Sequence, residues 1–169
     1  MKKLLITHFV ILQFFNCAIA GNWPAWRGED ATGSTTNGNY PSELNQKKNL
    51  LWKAPLPDKG CSTPVVWEDS VFLTSPISGE DSVLSFSIGG EKNWQTKIGP
   101  ERKGRHLNGS GSNPSVVTDG KNLYALFKSG NLACLDFDGK IIWKNDLSSY
   151  GKDTLYWDFG TSPILTSNH

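Results

Sequence analysis

Residues 109–151, GSGSNPSVVTDGKNLYALFKSGNLACLDFDGKIIWKNDLSSYG, decide the fold. Three dipeptides punctuate them: Asp119-Gly120, Ser129-Gly130 and Asp138-Gly139. Gly supplies the positive φ that tight hairpin turns demand. Between these turns lie runs rich in Val, Leu, Ile, Tyr, Phe and Trp, of strand length and often alternating in polarity. The stretch therefore predicts a four-stranded antiparallel meander. Its last strand carries Gly139-Lys140-Ile141-Ile142-Trp143, a Gly followed four residues later by Trp.

The same unit occurs once before. Residues 62–97, STPVVWEDSVFLTSPISGEDSVLSFSIGGEKNWQTK, read as strand, turn, strand, longer loop, strand, Gly-Gly turn, strand. Gly90-Glu91-Lys92-Asn93-Trp94 takes the place of Gly139 to Trp143, and the two Trp residues stand 49 apart. Pro64-Val65-Val66 lines up with Val116-Val117-Thr118 at a spacing of 52. A third opening strand is expected at Thr161-Ser162-Pro163-Ile164-Leu165. Upstream, Asn49-Leu50-Leu51-Trp52 resembles the closing strand of a preceding unit, with Trp52 placed 42 residues before Trp94. Four strands repeating at roughly 40–50 residues are the signature of a β-propeller. The expected fold is all-β: about two four-stranded antiparallel blades and part of a third, an incomplete ring.

Residues 1–20 carry Lys2 and Lys3, an apolar run from Leu4 to Phe15, and a small-x-small ending at Ala18-Ile19-Ala20. The run falls short of the roughly 20 residues a spanning helix needs, so it reads as a cleaved secretory signal. The expected location is periplasmic or extracellular. Lipidation on Cys17 is the alternative, disfavoured by Asn16 where lipoprotein processing prefers a small residue. Cleavage after Ala20 leaves 149 residues with 15 basic and 16 acidic side chains, a net charge of −1. That balance predicts no nucleic-acid or anionic-membrane partner. Cys61 and Cys134 then remain; export permits a bridge, but two small, partly buried residues are the plainer expectation. Neither has metal-ligand spacing.

Residues 21–46, GNWPAWRGEDATGSTTNGNYPSELNQ, form a turn-rich lead dense in Gly, Asn, Thr and Ser, before repeats expected over 47–169. Trp23 and Trp26 are expected to pin it against the body of the protein. Asn22-Trp23-Pro24-Ala25-Trp26-Arg27-Gly28 resembles the start of exported bacterial propellers with PQQ-like (pyrroloquinoline-quinone-like) repeats. Ser62-Thr63-Pro64-Val65-Val66, Leu135-Asp136-Phe137-Asp138-Gly139-Lys140 and Trp143 fit the same resemblance. It implies that the Trp closing each blade docks onto the neighbouring blade, a role that falls to Trp52, Trp94 and Trp143. The first unit departs from the pattern, with Ser87 in the place of Asp136 and Gly89-Gly90 in that of Asp138-Gly139.

The resemblance spans quinone- and calcium-dependent dehydrogenases as well as non-enzymatic propellers, so the site decides function. The dehydrogenases carry a vicinal Cys pair against the quinone and Glu, Asn and Asp about the metal. This chain has no adjacent cysteines, and neither pyrroloquinoline quinone nor calcium is expected on these residues. Ser110 and Ser112 miss the Gly-x-Ser-x-Gly elbow, and Pro114 breaks a Gly-x-Gly-x-x-Gly reading. With His8 in the signal and His169 last, His106 is the internal histidine of the mature chain, and alone it makes no His-rich metal site. The polar concentration is KIGPERKGRHLN at 97–108, where Arg105, His106 and Asn108 are candidate ligand residues because propeller loops gather at one end near the central channel.

Two units leave open blade faces and strand edges, which favour self-association. The chain is expected to be part of a longer propeller, from a truncated gene or a partial reading frame. The expected function is a non-catalytic exported scaffold for a protein partner or ligand; the alternative is the N-terminal piece of a quinone-dependent oxidoreductase.

Overall fold

The computed structural model describes residues 21–36, 40–43, 45–150, 158 and 160–166. The expected signal, Trp157 and Phe159 lie outside them. Two antiparallel sheets of four strands follow one another along the chain. The first comprises β1 (Val65–Trp67), β2 (Ser70–Thr74), β3 (Glu80–Ser87) and β4 (Lys92–Pro100). The second comprises β5 (Val117–Thr118), β6 (Leu123–Leu126), β7 (Asn131–Leu135) and β8 (Ile141–Asp146). Each sheet is ordered as its strands run in sequence, and the two do not close a ring. This is propeller-blade architecture, with each blade a meander of hairpins.

The registers show how closely the units repeat. Val65 faces Phe72 in the first sheet, and Val117 faces Tyr124 in the second, a displacement of 52 residues. Ser85 faces Trp94, and Cys134 faces Trp143, a displacement of 49. The difference of three residues is taken up by the longer β2–β3 loop. Even the irregularity recurs, since both outer ladders shift register at the same point, Ser85/Phe86 and Cys134/Leu135. A bulge there bends the last strand and increases its twist beside the Trp.

The main core lies between the sheets. Val65, Phe72, Val83 and Ile98 of the first blade pack with Leu123, Ala125, Phe127, Ala133 and Leu135 of the second, together with Val116. A smaller cluster of Leu73, Ile77, Leu84 and Phe86 covers the other face of the first sheet, against Ala54. Trp94 Nε1 donates to Phe137 O at 2.8 Å, across the blade boundary. Trp52 Nε1 donates in the same way to Ile88 O at 2.7 Å. Each ring lies on a turn glycine: a Cβ at Gly90 would come within 2.5 Å of Trp52, and one at Gly139 within 2.5 Å of Trp94. Both glycines also have positive φ, 91° and 82°. Trp143 stays 40% exposed, its ring centroid 6.2 Å from Tyr124 of its own blade.

Several expectations are corrected. Residues 49–52 and 161–165 form no strand, for among the described residues no strand pairs with either to build a ladder. The lead is tied down at Trp23 by its backbone bridge to Val66, with the ring packed on Gly28 of the lead itself, and Trp26 is 56% exposed beneath the Arg27 guanidinium. Cys61 is exposed, whereas Cys134 is buried on β7, and the two are not bridged.

Candidate functional site

The β2–β3 turn, the β6–β7 turn and the 101–116 segment joining the sheets all lie at one end of the blades. Backbone bonds knit them together, from Glu101 N to Gly79 O at 3.0 Å and from Lys128 N to Gly111 O at 3.1 Å. Buried Thr74 donates its hydroxyl to Ser112 O at 3.2 Å and to Pro114 O at 3.1 Å. The Gly-Ser-Gly-Ser run is a folded knot: Asn113 Oδ1 accepts from Ser110 N at 2.9 Å, and Ser110 Oγ accepts from Ser112 N at 3.1 Å. A Cβ at Gly111 would lie 2.5 Å from Arg102 O, so only glycine lets the segment cross itself here.

Beneath the segment lies a buried ion pair. Lys128 Nζ and the Asp158 carboxylate are both fully excluded from solvent. The ammonium also donates to Lys103 O at 3.0 Å. Asp158 accepts from the backbone N–H groups of Arg105, at 2.8 Å, and His106, at 3.1 Å. Burial alone would raise its pKa. The Lys128 ammonium and the two N–H donors outweigh burial and hold the carboxyl at about 2.

A second buried carboxylate, Asp81 of β3, behaves in the opposite way. Its Oδ2 accepts from Ser129 Oγ at 2.5 Å and Asn131 Nδ2 at 2.8 Å, both from the other blade. Its Oδ1 and the Ser112 hydroxyl are buried without partners among the described residues. Burial pushes Asp81 up to about 6, against the pull of those two donors and with the help of the Glu101 charge. Near these groups an open cleft of about 230 Å³ is lined by Asp58, Lys59, Glu101, Lys103, Gly104 and Ser110, among others.

Arg105, His106 and Asn108 share the rim of this end. Arg105 and Asn108 are exposed and His106 is half-buried. His106 Nδ1 accepts from Asn108 N at 3.1 Å, and Asn108 O accepts from the Cys61 thiol at 3.4 Å. Lys59 Nζ donates to Leu107 O between them. Sequence reasoning missed Asp81, Lys128 and Asp158. A lysine between Phe127 and Ser129 in a blade turn was a usable signal; the pairing of Asp81 across the blade boundary was not. Among the described residues no three His, Cys, Asp or Glu side chains converge as a metal-binding group.

Fold and site together define a protein of β-propeller repeat type, with blades docked through a Trp on a Gly turn. The family model described as outer membrane protein assembly factor BamB matches residues 29–163, and the chain belongs to this family of PQQ-like repeat proteins. No curated protein matched the chain.

Proposed function

We propose that the protein is a non-catalytic, exported scaffold whose 101–108 loop contacts another protein. The observation that carries this reading is a fixed loop with an apolar tip. Leu107 is 85% exposed beside exposed Arg105 and Asn108, while the backbone beneath is held by Asp158. An apolar side chain presented on a prearranged backbone loses little entropy on docking, and the adjacent guanidinium suits the mixed apolar and Arg character of protein interfaces. The basic start and apolar run of residues 1–20 support export, as does a family description naming an outer membrane assembly factor. No helix among the described residues is long and apolar enough to cross a membrane.

A photo-cross-linking residue in place of Leu107, compared with one at exposed Lys121, tests the reading in the native cell. A discrete protein adduct specific to position 107 is expected. Equal labelling at both positions would overturn the proposal. Saturable, calcium-dependent uptake of pyrroloquinoline quinone by the purified protein would transfer the case to the oxidoreductase alternative.

A further inference from the structure

The far end of the blades, away from the 101–116 loop, holds a different kind of contact. β1 and β5 each form one edge of their sheets. In a meander such an edge leaves alternate N–H and C=O groups facing outward without a ladder partner. Here the chain's own lead covers both edges. Trp23 N donates to Val66 O at 2.7 Å, and Val66 N donates to Trp23 O at 3.0 Å. One residue later, Pro24 O accepts from Thr118 N of the second sheet at 3.0 Å. One residue earlier, Asn22 Oδ1 accepts from Glu68 N in the β1–β2 turn at 2.8 Å.

Three successive residues thus bond to two different blades. The side chains suit the task. Proline brings no N–H to an edge where only its carbonyl is used. The Trp23 ring folds onto buried Gly28, where a Cβ would come within 2.9 Å of it, so the lead turns back on itself directly after the contact. Gly28 N→Ala25 O at 3.0 Å and Gly33 N→Arg27 O at 2.9 Å fix that turn.

The geometry points to a peptide-binding site formed jointly by the edges of β1 and β5, occupied in this structure by the chain's own Asn22-Trp23-Pro24. The segment is an intramolecular ligand added by strand pairing. Main-chain bonds give it affinity and Asn22 Oδ1 gives it sequence preference, while the Trp23 ring, packed on Gly28, holds the segment in its turned form. It clasps the two blades at the end opposite the loop of the proposed function and does not depend on that function.

Hydrogen exchange on the unaltered chain is the first test. A clasp opens as one unit, so Glu68, Val66 and Thr118 amides are expected to share one opening rate. Three unrelated rates would overturn the proposal. A chain lacking residues 21–28 supplies the second test. Its Glu68, Val66 and Thr118 amides are expected to exchange about tenfold faster or more. A labelled GNWPAWRG peptide is expected to bind it saturably and restore protection, and the same peptide with Trp23→Ala to do neither. Equal binding of both peptides, or none of either to a folded chain, would overturn the proposal. If the shortened chain does not fold, the shared opening rate in the intact chain decides.

Discussion

The two blades are one unit written twice, and they differ in what covers them. The first sheet is buried on both faces, by the second blade on one side and by residues around Trp52 and Ala54 on the other. Its β3 strand is accordingly buried at six consecutive positions. In the second sheet β6 alternates buried and half-buried residues, as a strand with one covered face should. Ile142 and Trp143 of β8 are 52% and 40% exposed. A blade's inner face is therefore specified by its own alternation, but its other face is finished by whatever segment packs on it, as Trp52 and Ala54 do on the first sheet.

The largest contrast lies at the β2–β3 and β6–β7 turns. The first is tied to the inter-blade segment by a backbone bond, from Glu101 N to Gly79 O. The second rests on the buried Lys128–Asp158 pair. Removing one partner of a buried pair leaves a charge without compensation, so Lys128→Met should cost about 3–5 kcal/mol, against less than about 1 kcal/mol for Glu101→Ala, which leaves the backbone bond to Gly79 in place. Urea unfolding at neutral pH measures both. The double variant K128M/D158N should recover much of the loss, because no charge is then left buried. The pair's contribution belongs to pH above the ordinary aspartate range. Asp158 has a depressed pKa, so its stabilisation fades as pH falls toward about 2.

The next contrast is between the equivalent tryptophans. Trp94→Ala removes a ring seated on Gly139 and facing Phe72 at a centroid distance of 6.0 Å, together with a hydrogen bond to Phe137 O. A loss of about 3 kcal/mol is expected. Trp143→Ala touches a half-exposed ring and should cost under about 1 kcal/mol in the same assay. Equal losses would show that the outer face of the second blade is covered in solution.

These contrasts mark what could be read from sequence. The spacings of 49 and 52, the turn glycines and the Trp positions are local or periodic, and the strand ladders follow them. The site was half legible. A basic run drew attention to residues 97–108, yet what holds Arg105 and His106 is the Asp158 carboxylate, 53 and 52 residues downstream. Asp81 left even less trace. A single aspartate in a strand of Ser, Val and Leu looks like a surface residue until the second blade closes over it.

Asp81 has no counterpart in the second blade, where the displacement of 49 places Gly130, so it confers a pH dependence on the first alone. Its folded pKa of about 6 exceeds the ordinary 3.8, so the folded chain holds the proton more tightly than the unfolded one. Its contribution is complete below about pH 4 and is lost as pH rises through about 6, a change of about 2–3 kcal/mol. Asp81→Asn should flatten the stability profile across that window. An unchanged profile would mean that another group titrates there.

The finest contrast is between the β3–β4 and β7–β8 turns. Both close with the same pair of backbone bonds, Ser87 N to Glu91 O with Gly90 N to Ser87 O, and Asp136 N to Lys140 O with Gly139 N to Asp136 O. Asp136 Oδ1 additionally gathers Asp138 N at 3.1 Å and Lys140 N at 2.8 Å. Ser87 Oγ takes Glu91 N at 3.2 Å, the counterpart of the second of these bonds. A serine in the aspartate's place thus keeps half of the side-chain capping and leaves the turn intact. Ser87→Asp should restore the other half by accepting from Gly89 N, raising stability by about 0.5 kcal/mol, with Asp136→Ser lowering it by a similar amount. A loss on Ser87→Asp would mean that the nearby Glu91 carboxylate repels the new charge, and that the first blade keeps serine for that reason.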